Sequence, residues 1–295
     1  MKTNSPHAWL LATRPATLSG ALSPVAVALS LSFSQGCFQC LPALLCVLFA
    51  LLMQIDANFA NDYLDYLSGT DGPDRLGPPR ACAQGWITPR AMLRGILLTT
   101  LLASLVGLPL VIWGGWWMVA IGLACILCCM LYSTLARRAM GDILVILFFG
   151  IVPVTVTYYL QNKAASPEAN SQSSIFNNQL ISAALAMGLV TDCLLLVNNY
   201  RDRETDSAVG KRTLVTLIGP RATEWLYLLL GLVAFALCFP DSRILLFYLP
   251  FHFYNWLQLR RIHEGRELNR LLGKTAASIL LFAILYSVGV IVGSS

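Results

Sequence analysis

Charged residues are scarce in this sequence, since Asp, Glu, Lys and Arg make up only 12% of its 295 residues. Soluble domains carry about 25% charged residues, so a chain of this size would lack the polar coat that a water-soluble globule needs. Residues of the apolar set AVILMFWYC reach 57%. The composition therefore indicates an integral membrane protein, and it excludes a cytosolic enzyme and a disordered module.

The sequence also has few of the patterns that mark catalytic or metal sites in soluble enzymes. Its three histidines, His7, His252 and His263, share no spacing typical of a metal site or a catalytic dyad. No Ser/His/Asp set, P-loop or dinucleotide fingerprint is present. Of the nine cysteines, Cys37 and Cys40 form a C-x-x-C in a short loop, and the other seven lie in or beside apolar runs. The net charge of +5 is not gathered in one basic stripe, so nucleic acid is excluded as a partner.

Long apolar runs fill most of the chain. A membrane-spanning helix needs about 20 mostly apolar residues. Nine windows meet this requirement: 16–34, 41–60, 91–112, 116–135, 143–161, 179–199, 222–239, 243–259 and 274–293. The first fifteen residues lack the pattern of a cleavable signal peptide. We therefore predict an all-α bundle of nine transmembrane helices that forms one domain over 1–295, with two motif-bearing halves, about 1–135 and 136–295.

Lys and Arg are distributed unevenly between the segments that join these windows. When the N-terminus is placed in the cytoplasm, every Lys and Arg except Lys163 and Arg243 falls on the cytoplasmic side, as the positive-inside rule requires. The sequence therefore predicts a multi-pass protein of a bacterial-type inner membrane, with its N-terminus in the cytoplasm and its C-terminus outside. The polar segment 162–178 is predicted to be a flexible external loop.

Two of the cytoplasmic segments resemble each other. NDYLD at 61–65, after the second window, matches NNYRD at 198–202, after the sixth window, at three of five positions. Both copies lie at the same membrane face and four helices apart. This arrangement is typical of a parallel duplication and not of an inverted one.

Each copy places oxygen ligands along one face of a helix end, because residues three or four apart are neighbours on a helix. The first stripe comprises Asn58, Asn61, Asp62 and Asp65, and the second comprises Asn198, Asp202 and Asp206. Two facing stripes of carboxylates repel each other unless cations lie between them. Mg²⁺ takes one or two carboxylates and completes its ligands from water and phosphate oxygens, so the stripes predict a magnesium site.

Basic residues follow both stripes. Arg75 and Arg80 come after the first, and Lys211 and Arg212 come after the second. Acids that hold Mg²⁺ beside bases that hold anionic oxygen predict a diphosphate site. The alternative interpretation, solvated loop charges and helix caps, explains one motif but leaves the match between two copies unexplained.

At these residues the sequence resembles the UbiA superfamily of intramembrane prenyltransferases, which has nine helices and two Asp-rich motifs. The family's first motif stands here as Asn61, Asp62, Asp65 and Asp71, and its second motif as Asp202 and Asp206. Four segments resemble most closely the branch that prenylates 1,4-dihydroxy-2-naphthoate. They are ATRPATL at 12–18, NDYLDYLSGTDGPDRLGPPR at 61–80, GDILVILFFG at 141–150 and NNYRDRETDSAVGKRTL at 198–214.

The resemblance implies a reaction and a cofactor. A polyprenyl group would pass from an allylic diphosphate to 1,4-dihydroxy-2-naphthoate, with loss of CO₂ and diphosphate, to give demethylmenaquinone. Another aromatic acceptor, such as 4-hydroxybenzoate or homogentisate, stays open as an alternative. Two Mg²⁺ ions, with Mn²⁺ as a substitute, would neutralise the leaving group. One ion would be held by Asn61, Asp62, Asp65 and Asp71, and the other by Asn198, Asp202 and Asp206.

The resemblance also implies roles for the basic residues. Arg75, Arg80, Lys211 and Arg212 would hold diphosphate oxygens. Arg201 would do the same, or would orient Asp202. Arg14, at the start of the first window, either binds the acceptor carboxylate or anchors the helix at the membrane surface.

Other polar side chains carry two interpretations each. Asp142, before the fifth window, would accept a proton from a ring hydroxyl, or it is a charge at a helix N-terminus. Tyr132 would offer its ring to the allylic cation, or it packs at the membrane interface. Asp56 and Asp192 lie inside predicted spans, where carboxylates are costly. They either support the site or bind a neighbouring helix.

Two other classes of membrane protein compete with a prenyltransferase. A transporter or lipid flippase also uses repeats and intramembrane acids, but its sites lie near the middle of the membrane, whereas both motifs here lie at one face. A structural subunit of a membrane complex leaves the carboxylate stripes unexplained.

Overall fold

The computed structural model describes residues 2–69, 76–166 and 177–293. In these ranges the regular structure is helical, apart from one isolated β-bridge between the backbones of Arg138 and Arg212. In chain order the helices are α1 (Pro6–Ala12), α2 (Pro15–Ser34), α3 (Cys40–Leu67), α4 (Pro89–Gly114), α5 (Trp117–Ala136), α6 (Gly141–Ala165), α7 (Asn178–Ala208), α8 (Leu214–Ile218), α9 (Pro220–Cys238), α10 (Tyr248–Ile262) and α11 (Leu268–Gly293). Most of the predicted external loop, 162–178, lies outside the described residues.

Eight helices within the described ranges are long and apolar enough to cross a membrane, namely α2 to α7, α9 and α11. The structure therefore confirms an all-helical polytopic membrane bundle. The remaining predicted window, 243–259, falls on a five-residue 3₁₀ helix, Arg243–Phe247, that continues into the 15-residue α10. Because α10 alone is shorter than a typical span, the count of nine is not confirmed by helix length.

The outside of the bundle is apolar and its inside holds polar groups. α5 has no buried residue, and Trp116 and Trp117 at its start are 81% and 78% exposed. Asp56, Gln161 and Asp192 are instead buried. This arrangement is expected when the surrounding solvent is lipid, since polar side chains then face the interior.

Local sequence fixes where several spans begin. Thr88 caps α4 by accepting a hydrogen bond from the amide of Ala91, which satisfies a donor that the first helical turn leaves free. Pro15, Pro89 and Pro220 each occupy the first helical turn, where the missing amide hydrogen costs nothing.

α7 is the most buried of the spans, and α6 lies in close contact with it. A Cβ atom on Gly150 of α6 would lie 2.5 Å from the carbonyl oxygen of Ala184 and from Cα of Gly188. A Cβ atom on Gly141 would lie 3.3 Å from Cδ2 of Leu195. The contacts move backward along α7 as α6 advances, so the two helices are antiparallel and the start of α6 lies beside the second half of α7.

Backbone hydrogen bonds hold the segment after α7 against the turn between α5 and α6. The amide of Ala139 donates to the carbonyl of Arg212 at 2.8 Å, and the amide of Arg212 donates to the carbonyl of Arg137 at 3.0 Å. The basic residues that follow the second stripe are therefore fixed at the end of the bundle where α5 ends and α6 begins.

Candidate active site

The first stripe lies on the last turns of α3, where each of its four members has a partner from elsewhere in the chain. Asp65 Oδ2 accepts a hydrogen bond from Nη2 of Arg80 at 2.8 Å. Asn61 Oδ1 accepts one from the hydroxyl of Ser133 on α5 at 3.0 Å. The chain thus returns after α3 and places a guanidinium against the carboxylate of the first motif.

Asp62 is fully engaged with this returning segment. Its Oδ2 accepts a hydrogen bond from the amide of Ala81 and its Oδ1 from the amide of Cys82, both at 2.8 Å. The side chain is buried. In this geometry Asp62 fixes the segment that carries Arg80, although the motif alone predicts a metal ligand at this position.

Replacing Asp62 with Ala is expected to destabilise the protein as well as inactivate it. The change leaves two buried amides without partners, which costs about 2–5 kcal/mol in all. Thermal unfolding of the purified variant in detergent measures this loss. Asp65→Ala is the comparison, because its side chain is half-buried and binds the guanidinium of Arg80. If Asp62→Ala unfolds at the same midpoint as the wild type, the structural role of Asp62 is contradicted.

Arg201 holds the second stripe on α7. Its Nε donates to Oδ1 of Asp202 at 2.7 Å and its Nη2 donates to Oδ2 at 2.5 Å. Nη2 also donates to Oδ1 of Asn198 at 2.8 Å. This bidentate geometry fixes the plane of the carboxylate, which favours the orienting role of Arg201 over direct contact with the diphosphate.

The third acid of the stripe has a different basic partner. Nζ of Lys211 lies 2.9 Å from Oδ2 of Asp206. Lys211 follows α7 and is held there by its own amide, which donates to the carbonyl of Asp206 at 2.9 Å. Each motif thus has one acid paired with a base that comes later in the chain.

Asn269 joins the two motifs, and sequence reasoning missed it. Its Oδ1 accepts a hydrogen bond from Nη1 of Arg201 at 2.7 Å, and its Nδ2 donates to the carbonyl of Leu76 at 2.9 Å. A side chain on α11 thereby connects the guanidinium behind Asp202 with the segment that follows the first motif. No motif surrounds Asn269, so no local signal was available to find it.

Arg14 occupies a bend between α1 and α2. Its φ of 49° is left-handed, a conformation that non-glycine residues rarely adopt. The bend is fastened to α3 by Asn58, whose Nδ2 donates to the carbonyl of Thr13 at 2.8 Å. Arg14 therefore lies beside the helix that carries the first stripe.

Three of the residues predicted for the site either lie outside the described residues or have an exposed side chain. Asp71 and Arg75 lie outside the described residues. The side chain of Arg212 is exposed, and its backbone forms the bridge to the turn before α6.

Asp56 and Asp192, the two intramembrane acids, have different surroundings. Asp56 accepts hydrogen bonds from the hydroxyls of Thr99 and Thr100 on α4, so it is bound to a neighbouring helix. Asp192 is 2% exposed, and its Oδ1 has no hydrogen-bond partner within the described ranges.

Asp142 and Tyr132 lie near Asp192. Asp142, in the first turn of α6, is 7% exposed and interacts electrostatically with Asp192. Tyr132 on α5 interacts electrostatically with both of these acids and with Asp65. Tyr132 is therefore within electrostatic range of both the interior acids and the first motif.

The donor set of the two stripes fits Mg²⁺. It consists of carboxylate and amide oxygens, the hard ligands that this ion prefers, from Asn61, Asp65, Asn198, Asp202 and Asp206. Within the described ranges no group of three or more His, Cys, Asp and Glu side chains is already gathered as a metal site.

Comparison with known proteins identifies the family. Residues 21–269 match the UbiA prenyltransferase family. The chain belongs to this family. The resemblance of its two motifs to UbiA proteins, and the prediction of a membrane-embedded prenyltransferase, are thereby confirmed.

Two bacterial UbiA relatives match much of the chain. It is 36% identical over 225 residues to 1,4-dihydroxy-2-naphthoate octaprenyltransferase of Escherichia coli, a match that covers 72% of this chain and 69% of that protein. It is 31% identical over 286 residues to the protein of the same name from Mycobacterium tuberculosis, covering 94% of each.

A solved UbiA structure shares the fold. A UbiA homolog from Archaeoglobus fulgidus, bound to DMAPP and Mg²⁺, superposes with a TM-score of 0.61 at 16% identity. The match covers 96% of this chain and 99% of that chain. The helical bundle described above is therefore the UbiA fold.

Proposed function

We propose that this protein transfers a polyprenyl group from an allylic diphosphate to 1,4-dihydroxy-2-naphthoate, with loss of CO₂ and diphosphate, to give demethylmenaquinol, the hydroquinone form of demethylmenaquinone. The observation that carries the proposal is the pair of oxygen stripes on α3 and α7, linked through Arg201, Asn269 and the segment after α3. The acceptor is taken from the relatives in Escherichia coli and Mycobacterium tuberculosis, which are named for it.

The two stripes hold two divalent ions in this proposal. Asn61, Asp62, Asp65 and Asp71 form one ligand set, and Asn198, Asp202 and Asp206 form the other. Mg²⁺ bound there supplies Lewis-acid neutralisation of the leaving diphosphate. Support comes from the oxygen-rich donor set and from the Archaeoglobus fulgidus homolog, which is bound to Mg²⁺.

The bases next to the stripes receive the diphosphate. Arg80 and Lys211 form ion pairs with Asp65 and Asp206. When Mg²⁺ ions bind these carboxylates, the side chains of Arg80 and Lys211 are released. They then contact diphosphate oxygens together with Arg75 and Arg212. Arg201 keeps Asp202 oriented throughout, because it is 3% exposed and bound on three sides.

The acceptor lies between α2, α5 and α6 in this proposal. Arg14 binds its carboxylate, and Asp142 takes the proton of a ring hydroxyl. Tyr132 presents its ring to the allylic cation. The electrostatic interaction of Tyr132 with Asp65 and with the two interior acids supports this placement.

A panel of aromatic acids tests the acceptor. Purified protein is incubated with geranyl diphosphate, Mg²⁺ and either 1,4-dihydroxy-2-naphthoate, 4-hydroxybenzoate or homogentisate, and the prenylated products are measured by mass spectrometry. We expect 1,4-dihydroxy-2-naphthoate to have the highest kcat/KM. A higher kcat/KM for either of the other acids would replace the proposed acceptor.

Replacing Lys211 with Ala is expected to impair use of the diphosphate selectively. A charged hydrogen bond to phosphate is worth about 1.5–3 kcal/mol, so kcat/KM for the allylic diphosphate should fall about tenfold or more while the acceptor KM stays unchanged. Steady-state kinetics with each substrate varied in turn measure this difference. Lys274→Ala, an exposed lysine above the ring of Tyr254, is the matched control. An effect confined to the acceptor KM would place Lys211 outside the diphosphate site.

We propose that the chain crosses the membrane nine times, with the N-terminus in the cytoplasm, the C-terminus outside and the motifs at the cytoplasmic face. The crossing that adds to the eight long helices is formed by Arg243–Phe247 together with α10. At rises of about 2.0 Å per 3₁₀ residue and about 1.5 Å per α residue, this unit is about 33 Å long, enough for the hydrocarbon core. The positive-inside distribution supports the orientation.

Thiol labelling in intact cells checks this topology. A cysteine at exposed Ser207, introduced into a cysteine-free background, is expected to react with an impermeant reagent only after the cells are opened. A variant that keeps only the exposed Cys40 is expected to react in intact cells. Equal labelling of both positions from one side would contradict the nine-span arrangement.

A further inference from the structure

Two buried carboxylates at the α6–α7 contact have unused oxygen atoms. Oδ1 of Asp142 and Oδ1 of Asp192 are both without a hydrogen-bond partner in the described part of the protein. The residues are 7% and 2% exposed. Most buried polar atoms have partners, so each exception calls for a ligand or a special role.

Helix packing places these two carboxylates at the same level. α6 and α7 are antiparallel, and Gly141 packs against Leu195 with almost no space between them. Asp142 directly follows Gly141, and Asp192 lies one turn before Leu195. The two side chains are therefore neighbours across the contact, and they interact electrostatically.

No basic side chain in the described ranges neutralises the carboxylates of Asp142 and Asp192. In the described ranges neither carboxylate takes part in an ion pair with Lys, Arg or His, and the titratable groups next to them are Tyr132 from α5 and Cys193 from α7. Two carboxylates in a site of low dielectric cannot both be ionised. A single proton shared between them would leave the pair with one negative charge.

The pair also shares the electrostatic neighbour Tyr132 with the first motif, and Asp142 precedes an irregular turn. Tyr132 interacts electrostatically with Asp65 as well as with both acids. The π-helical turn Leu147–Ile151 follows Asp142 by little more than one helical turn, and such turns are frequent at functional sites. A flat aromatic acceptor at this position would contact the pair while the allylic diphosphate occupies the motifs.

We propose that Asp142 and Asp192 form a proton-sharing pair that takes the proton of the acceptor hydroxyl next to the ring carboxylate. This inference rests on the proposed function. The hydroxyl proton moves to the pair, its electron pair forms C=O, and the adjacent ring carbon bonds the allylic carbon as diphosphate leaves. The resulting β-keto acid loses CO₂, the electrons of the broken C–C bond restore the aromatic ring, and the pair returns the proton to oxygen.

Asp192→Asn and a methoxy acceptor test the pair together. The wild type and the variant are each assayed with 1,4-dihydroxy-2-naphthoate and with the analogue whose hydroxyl next to the carboxylate is methylated. General-base catalysis contributes about 10²–10⁴-fold, so the variant should lose about 10²-fold or more with the hydroxyl acceptor and much less with the methoxy acceptor. The KM for the allylic diphosphate should not change.

Equal losses on both acceptors, or full activity on the hydroxyl acceptor, would overturn the pair. A wild type that prenylates only other aromatic acids would instead overturn the proposed function, so the two failures are distinguishable. Asp56→Asn is the matched control, because Asp56 is a buried acid whose partners are Thr99 and Thr100. It should affect both acceptors equally.

A second pair of variants keeps the test decisive if Asp192→Asn does not fold. The side chains introduced by Asp192→Glu and Asp192→Gln have nearly the same size, but only Glu carries a carboxyl group. Asp192→Glu should restore the preference for the hydroxyl acceptor over the methoxy acceptor, and Asp192→Gln should not. The same preference in both variants would contradict proton sharing.

Discussion

Replacing Asp202 with Asn is expected to lower turnover about 10³-fold while the protein stays folded. The carboxylate is a proposed metal ligand at the leaving group, and loss of such an electrostatic contact costs about 4 kcal/mol of transition-state stabilisation. The Asp202 side chain is 20% exposed, and the buried guanidinium of Arg201 keeps its hydrogen bonds to Asn198 and Asn269 beside the amide oxygen of the new Asn. Single-turnover kinetics at saturating substrates, with thermal unfolding of the same preparation, measure both effects.

Glu204→Gln is the matched control for this change. Glu204 lies two residues after Asp202 on α7, and its side chain is 76% exposed. Its loss should leave turnover unchanged, whereas Asp65→Asn on α3 should resemble Asp202→Asn. Near wild-type turnover in Asp202→Asn or Asp65→Asn would defeat the assignment of two ion sites.

Removal of divalent ions is expected to abolish turnover completely. Without them the two carboxylate stripes keep Arg80 and Lys211 in ion pairs, and the diphosphate leaving group stays unneutralised. The protein is treated with EDTA, desalted and assayed with added Mg²⁺, Mn²⁺ or Ca²⁺. Mg²⁺ and Mn²⁺ should restore the activity, and Ca²⁺ should restore little, because it prefers more ligands at longer distances.

The structural integrity of the ion-free protein is the control for this experiment. The ion pairs of Asp65 with Arg80 and of Asp206 with Lys211 compensate the carboxylate charges, so the unfolding midpoint should change little after EDTA treatment. Turnover that persists in EDTA would contradict the metal dependence. A collapse of the unfolding midpoint would show that the ions are structural.

Periodicity and composition were sufficient for the fold. Apolar runs of spanning length predicted eight helices that the structure contains, because lipid demands a continuous apolar stretch whatever the neighbouring helices are. The helix type in the window 243–259 was harder to predict, since its first five residues form a 3₁₀ helix. Tertiary context sets that local geometry, and the run of apolar residues gives no sign of it.

The site was predictable where its ligands repeat along the chain. NDYLD and NNYRD carry their chemistry in residue type and spacing, which are visible in one sequence. The spacing did not reveal that Asp62 binds the amides of Ala81 and Cys82. Such a contact depends on the path of the chain after α3.

The links between distant segments were not predictable. Asn269 meets Leu76 across 193 positions, and no pattern around either residue signals the contact. The neighbourhood of Asp142 and Asp192 depends on how closely Gly150 lets α6 approach α7. Helix packing creates these pairs, and a single sequence does not specify it locally.

Release of the ring carboxylate tests the proposed function most directly. Purified protein receives an allylic diphosphate, Mg²⁺ and 1,4-dihydroxy-2-naphthoate labelled with ¹⁴C in its carboxylate, and CO₂, diphosphate and prenylated product are quantified together. The proposed function predicts equal amounts of all three, with no label in the product. A prenylated product that keeps the label, or diphosphate release without labelled CO₂, would contradict it.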